Sequence, residues 1–237
     1  MSKHLQRDID LIRRELLNQF GLVEKVVDDS VRSLTEHRGD LLETVLVGDQ
    51  TIDEREVLIE EQCLKTLALH QPVAADLRWI ATVIKINSDL ERIGDLACSI
   101  SERARDLHHT PHFPIPSQVP MMVSDAMQMV RDALDAFVDL DLYKAREVIR
   151  MDIAVDQTNI EVIEVLTELM VEKSDLVPAA LHCFSAARHI ERIADLATNI
   201  AEDVIYIIEG EVVRHQHDEN TPKPVSYTHL TLPTISD

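Results

Sequence analysis

Apolar residues recur every three or four positions through most of this chain, which is the spacing of one buried face of an α-helix. The first such run holds Leu5, Ile9, Ile12, Leu16, Val23, Val27, Val31 and Leu34. Similar runs predict a second helix over about 41–69 and a third over about 73–107. Gln71-Pro72 separates them, because a helix accommodates neither proline nor its preceding residue well. Helices of about 30 residues are about 45 Å long. The first half is therefore predicted to be an antiparallel three-helix bundle.

The second half repeats this plan, with helices predicted over about 121–138, 142–173 and 179–209 and a break at Pro178. Between the halves, residues 108–120 carry four prolines and predict a linker. The predicted fold is all-α, a tandem repeat of two antiparallel three-helix bundles. Its parts are a first bundle, a proline-rich linker, a second bundle and a disordered or non-native tail, at 1–107, 108–120, 121–214 and 215–237. The tail switches to proline-punctuated and then Thr-, Ser- and Leu-rich sequence, so it is left out of the functional argument.

A short motif occurs twice on these predicted helices. Leu90-Glu91-Arg92-Ile93-Gly94-Asp95-Leu96-Ala97 returns 100 residues later as Ile190-Glu191-Arg192-Ile193-Ala194-Asp195-Leu196-Ala197. Each copy puts two carboxylates four positions apart, one helical turn above each other. Like charges at that spacing destabilise a helix by about 0.2–0.5 kcal/mol. Repeating this penalty at equivalent places suggests a bound cation.

A second carboxylate pair precedes each copy of the motif on the preceding helix. Two antiparallel helices would thus bring four carboxylates together in each half. The candidate metal ligands are Asp49, Asp53, Glu91 and Asp95 in the first half, and Asp152, Asp156, Glu191 and Asp195 in the second. An isolated pair in an acidic helical protein is ordinarily part of a solvated face. Here the helix around the first motif is apolar nearly all round, and the pairs recur at repeat-related positions, which favours metal sites.

Neighbouring residues leave some questions open. Glu56 and Glu60 continue the first acidic line, but Asn159 and Ile163 stand at the corresponding places in the second half, so they are not included. Arg92 and Arg192 could either help to hold the carboxylates or be plain surface charges.

Ligand type narrows the chemistry of these sites. Carboxylate oxygens suit Mg²⁺, Ca²⁺, Mn²⁺ or iron and argue against a structural zinc. Ferritin-like di-iron oxidases use Glu-x-x-His on two helices, and no His here lies three residues after a Glu. The sequence also lacks a Gly-rich phosphate loop and a nucleophile elbow. We therefore expect no enzyme, with a carboxylate-bridged metalloenzyme and a metal-free helical scaffold as the alternatives.

Charge and composition restrict the partners. The formal charge is −20, which argues against nucleic-acid or anionic-lipid binding. It also argues against an open phosphate-binding surface, unless bound metal supplies positive charge. No apolar run approaches 18 residues and no signal peptide is evident, so we predict a cytoplasmic protein without membrane insertion. Only 3% of residues are aromatic and 5 are Gly, so the core should consist of Leu, Ile, Val and Ala. The isolated cysteines, Cys63, Cys98 and Cys183, are expected to be buried thiols.

Four segments together resemble the PhoU family of phosphate-uptake regulators, over about residues 1–214. They are Gly21-Leu22-Val23-Glu24-Lys25, Gln71-Pro72-Val73-Ala74-Ala75-Asp76-Leu77-Arg78, Asp89-Leu90-Glu91-Arg92-Ile93-Gly94-Asp95 and Ala187-Arg188-His189-Ile190-Glu191-Arg192-Ile193-Ala194-Asp195. Two departures are Phe20-Gly21, where the family often has Gly-Gly, and Ala194, where it commonly has Gly.

The resemblance implies tandem three-helix bundles that bind metal through the eight carboxylates named above. It also implies a negative regulator of phosphate uptake that links the ATPase of a phosphate ABC transporter to a sensor histidine kinase. Such a protein is an adaptor rather than an enzyme, and the family commonly forms homodimers.

Overall fold

A computed structural model describes residues 3–36, 38–108, 110 and 112–210 of the chain. Its described residues form six long α-helices and no strand. In chain order, α1 to α6 are Lys3–Thr35, Leu41–His70, Ala75–Leu107, Gln118–Asp139, Leu142–Glu172 and Val177–Glu209. A single 3₁₀ turn, Ser174–Leu176, precedes α6. The tail predicted for 215–237 lies outside the described residues.

Local chemistry explains where the helices end. Gln71 adopts the left-handed conformation (φ 45°) and donates its backbone N–H to Leu67 O at 3.0 Å, and Pro72 then prevents continuation. Leu140 closes α4 in the same conformation (φ 52°). The Asp141 side chain then accepts a hydrogen bond from Lys144 N at 3.0 Å and caps α5. The two-residue connection makes α4 and α5 antiparallel neighbours.

Two helices begin earlier than the hydrophobic pattern predicts. We predicted α4 from 121 and α6 from 179, whereas they begin at Gln118 and Val177. In both, a proline lies within the first turn, Pro120 in α4 and Pro178 in α6. The first backbone N–H groups of a helix have no partner within it, so proline costs little there.

The helices form two bundles, α1–α2–α3 and α4–α5–α6, in which every pair of helices is in contact. The core is aliphatic as predicted, with few buried aromatic side chains, among them the stacked rings of Trp79 and Phe137 at 5.5 Å. None of the described helices has both the length and the apolar character needed to cross a bilayer.

The two bundles meet chiefly through α3 and α6, with a smaller contact between α1 and α4. Lys85 Nζ lies 3.1 Å from Asp203 Oδ1, and His182 Nδ1 lies 3.5 Å from Asp106 Oδ2. These pairs show that α3 and α6 run antiparallel. Counting inwards from them places Gly94 level with Ala194. The two copies of the motif therefore face each other at the middle of this interface.

Candidate metal centre

The first carboxylate cluster joins α2 to α3. Burial raises the pKa of Asp49, a hydrogen bond with Cys98 lowers it, and the charges of Asp53 and Asp95 raise it further. Burial, with Asp95 and Asp53 next in importance, raises the pKa of Glu91 to about 6. Each helix thus perturbs carboxylates on the other. The structure brings together all four residues predicted for this half.

The second cluster joins α5 to α6 in the same way. Burial, followed by the charges of Asp156, Asp195 and Glu191, raises the pKa of Asp152 to about 7. The pKa of Asp195 is raised by burial and by Asp156, although Arg188 and Arg192 oppose this. The four residues predicted for the second half are also neighbours.

Individual oxygen atoms in both clusters lack partners. Asp49 Oδ1 and Glu191 Oε2 are buried and accept no hydrogen bond. The other carboxylate oxygen of Glu191 accepts from Arg188 Nη1 at 2.8 Å. A buried carboxylate oxygen without a donor is unfavourable, and neighbouring negative charges add to the cost. A bound cation would relieve both.

The donor set fits a hard cation, because it consists of carboxylate oxygens and such ions prefer several oxygen ligands. Within the described part of the chain, no group of three or more His, Cys, Asp or Glu side chains has the close arrangement of a formed metal site. The helices thus gather the eight predicted residues in two clusters without arranging their side chains as a formed site. Their role as ligands stays a prediction.

The two clusters differ in detail. An added Cβ at Gly94 would lie 2.8 Å from Asp49 Oδ1, so the absent side chain makes room for this carboxylate. Ala194 occupies the equivalent place beside the second cluster. Glu56 adds a fifth acidic residue to the first cluster, because its charge helps to raise the pKa of Glu91.

Glu56 is thus a residue that the sequence reasoning left out. Its own pKa is raised by burial and then by Glu60 and Asp53. Its counterpart Asn159 is neutral, and this mismatch led us to discount it. The signal was present in the sequence, since Glu56 lies three residues after Asp53, on the same helical face.

A shallow groove lies between the two clusters, where α3 crosses α6. Its volume is about 300 Å³. The same three positions of each motif line it: Arg92, Asp95 and Leu96 from α3, and Arg192, Asp195 and Leu196 from α6. One carboxylate of each cluster therefore reaches the same groove.

The family profile and the individual relatives that match this chain agree on one family. The family profile described as the PhoU domain matches residues 16–104 and 119–204, one match to each bundle. The chain is 38% identical over 213 residues to the phosphate-specific transport system accessory protein PhoU homolog of Aquifex aeolicus, covering 90% of this chain and 96% of the relative. It is 32% identical over 219 residues to the accessory protein PhoU of Escherichia coli K12, covering 91% of each.

Two solved structures share this architecture. The crystal structure of PhoU from Pseudomonas aeruginosa superposes with a TM-score of 0.83 at 37% identity, covering 87% of this chain and 99% of the other. The phosphate transport system regulatory protein PhoU from Streptococcus pneumoniae gives a TM-score of 0.81 at 26% identity, covering 88% and 99%.

Proposed function

Because the chain belongs to the PhoU family, we propose that it is a cytoplasmic accessory protein that negatively regulates phosphate uptake. The observation that supports this is the family match to both bundles, together with relatives named for the phosphate-specific transport system over about nine-tenths of the chain. In this role it acts as an adaptor and not as an enzyme. The proposed partners are the ATPase subunit of a phosphate transporter and a sensor histidine kinase, and the proposed assembly is a homodimer.

A complementation experiment tests the regulatory role. In a bacterium lacking its own PhoU, phosphate uptake and phosphate-starvation gene expression should stay high when phosphate is plentiful. Expression of this chain together with its cognate transporter and kinase should restore repression. Correctly folded protein that leaves both activities high would contradict the proposal.

We also propose that the two carboxylate clusters bind divalent or trivalent cations such as iron, Mn²⁺, Mg²⁺ or Ca²⁺. Asp49, Asp53, Glu91 and Asp95 would hold those of the first cluster, and Asp152, Asp156, Glu191 and Asp195 those of the second. Bound cations would supply positive charge between helices whose facing carboxylates otherwise repel. The contacts of α2 with α3 and of α5 with α6 would then be strengthened, and a stiffer acidic face could be presented to a partner.

Metal content and thermal unfolding test the cation sites. Protein purified without chelator should contain metal, and EDTA should lower its melting temperature, since a ligand bound only by the folded state stabilises that state. The double variant Glu91→Gln with Asp95→Asn should bind less metal and respond less to EDTA. Glu61→Gln is the matched control, because this side chain is exposed on α2. Metal-free protein with an EDTA-independent melt would favour the metal-free scaffold instead.

A further inference from the structure

The groove between α3 and α6 pairs two guanidinium groups in an otherwise acidic environment. We propose that it binds one tetrahedral oxyanion, inorganic phosphate, between Arg92 and Arg192 when the adjacent carboxylate clusters hold cations. This inference rests on the proposed metal binding and names a ligand for the space between the two clusters.

The antiparallel register sets the geometry of the groove. Since Gly94 lies level with Ala194, Arg92 lies opposite Leu196 and Arg192 lies opposite Leu96. The two arginines therefore reach the groove from opposite helices, one on each side of its centre, as a local twofold axis requires. A tetrahedral anion has two pairs of oxygens related by a twofold axis. Each pair can accept the two parallel N–H bonds of one guanidinium fork.

Both arginines have donors to spare. The Arg92 side chain is 62% exposed, and the ion pair that it forms with Asp89 spans 3.6 Å, too long for a hydrogen bond. Arg192 is exposed and makes no hydrogen bond or ion pair with any residue that the structure describes. Its nearby charge still lowers the pKa of Asp195, so it lies close to the second cluster. Both guanidinium groups therefore lie beside the carboxylates and keep N–H donors available for a ligand.

Size and lining also suit a small anion. The groove has a volume of about 300 Å³ and is open to solvent, so a small anion can enter it together with part of its hydration shell. Leu96 and Leu196 supply apolar wall.

Charge makes the binding conditional. Within the groove, Asp95 and Asp195 cancel the two arginines, and the remaining carboxylates of both clusters add negative charge. An anion would therefore be repelled from the metal-free protein. Cations in the clusters would offset those carboxylates and leave the arginine charges available. Linkage then requires that phosphate strengthen metal binding by the same factor by which metal strengthens phosphate binding.

Equilibrium dialysis with labelled inorganic phosphate tests this on the full chain, before and after removal of metal, with Mn²⁺ as the cation. We expect one phosphate per chain in the loaded protein and binding weaker by an order of magnitude or more without metal. Arg92→Gln with Arg192→Gln should lose phosphate binding on the order of tenfold or more, while the protein still binds Mn²⁺ and keeps its melting temperature in the absence of phosphate. Arg92→Lys with Arg192→Lys should fall between, since the charge remains but the fork is lost.

Arg105→Gln with Arg150→Gln is the matched control. These side chains are 57% and 63% exposed, and among the described residues each forms an ion pair with a neighbour on its own helix. Phosphoserine and sulfate serve as competitors: if phosphoserine displaces phosphate effectively, the ligand is a phosphate ester and the assignment to free phosphate is wrong.

Each negative result shows which of the two proposals, metal binding or phosphate binding, is wrong. Protein that binds no Mn²⁺ overturns the metal proposal and this one with it. Loaded protein that binds Mn²⁺ but no phosphate overturns only the present inference. Phosphate binding that survives both arginine substitutions places the anion directly on the cations, and the arginine site is then wrong.

Discussion

Asp152 provides a sensitive test of whether burial beside other carboxylates destabilises the metal-free protein. Its pKa of about 7 in the folded chain compares with an ordinary value of 3.8. At 1.36 kcal/mol for each pKa unit, this difference corresponds to about 4 kcal/mol. Burial is the largest cause of this shift, followed by the charges of Asp156, Asp195 and Glu191. Since Asp152 is only partly buried, water screens much of both effects, and we expect about 1–2 kcal/mol. Asp152→Asn keeps the shape and removes the charge. In EDTA at pH 8 it should therefore stabilise the protein.

The sign of the pH dependence follows from the same residue. A carboxyl group with a raised pKa takes up its proton in the folded state before it does so in the unfolded state. The destabilisation is therefore complete above about pH 7, shrinks as the pH falls, and is absent below about pH 3.8. Glu91, with a pKa of about 6, contributes in the same direction. Metal-free protein should thus gain stability from these groups between pH 8 and pH 5.

In the metal-loaded protein, stability should instead fall as the pH is lowered. Protons compete with cations for the carboxylates, so metal-dependent stabilisation is lost as the pH falls. At a free metal concentration of 100 times the dissociation constant, binding contributes about 2.7 kcal/mol. Asp152→Asn should reduce this contribution while it raises the stability of the metal-free protein. Asp152→Asn then raises the stability of the metal-free protein but lowers the additional stability that bound metal supplies.

Urea unfolding at pH 5, 6, 7 and 8, with EDTA or with Mn²⁺, measures both effects. Glu164→Gln is the control, because it removes one charge from an exposed position of the same helix. If Asp152→Asn is no more stable than the parent at pH 8 in EDTA, or keeps the parent's pH dependence, the ionised Asp152 does not destabilise the metal-free protein and the prediction is wrong.

Four further predictions concern glycines and thiols. Gly94→Ala should weaken cation binding by the first cluster only, as followed by titration calorimetry, because the new Cβ would lie 2.8 Å from Asp49 Oδ1; equal weakening of both clusters would contradict this. Gly48→Ala should destabilise the fold by about 1–3 kcal/mol in urea unfolding, since its Cβ would lie 2.5 Å from Val26 Cγ2. Gly21→Ala should stabilise it by about 0.5–1 kcal/mol because nothing lies within 4 Å, and the same sign for both glycines would refute the packing argument. Burial raises the pKa of all three thiols, so a disulfide reagent at pH 8 should label none in the folded protein and all three in guanidinium. The thiols are Cys63, Cys98 and Cys183.

The helices and the pairing within each cluster could be predicted from sequence because both depend on short-range periodicity. A spacing of four places Glu91 and Asp95 on one face, and the break at Gln71-Pro72 makes their helix antiparallel to the preceding one, which carries Asp49 and Asp53. Glu56 was discounted because the two halves were assumed to be equivalent. The early start of α4 was missed because Pro120 was interpreted as a helix breaker, although it occupies the first turn, where it is tolerated.

The groove could not be predicted in this way. An internal repeat defines the unit that is duplicated but carries no information about which faces of the two units associate. That depends on complementary packing between α3 and α6, summed over many apolar side chains. From sequence alone, Arg92 and Arg192 could therefore be either residues that help to hold the carboxylates or plain surface charges. Their common location became apparent only from the antiparallel register of the two helices.

That register makes the tandem repeat resemble a twofold-symmetric dimer fused into one chain. In such an interface each residue meets the partner's copy of the same surface, which is how Gly94 comes to lie level with Ala194. Fusion also removes the requirement that both sides stay identical. Lys85 pairs with buried Asp203 at one end of the interface, whereas the equivalent residues at the other end are Ser185 and Arg103. Equivalent positions of the two carboxylate clusters can diverge for the same reason, so we expect their cation affinities to differ and the groove between them to respond to both.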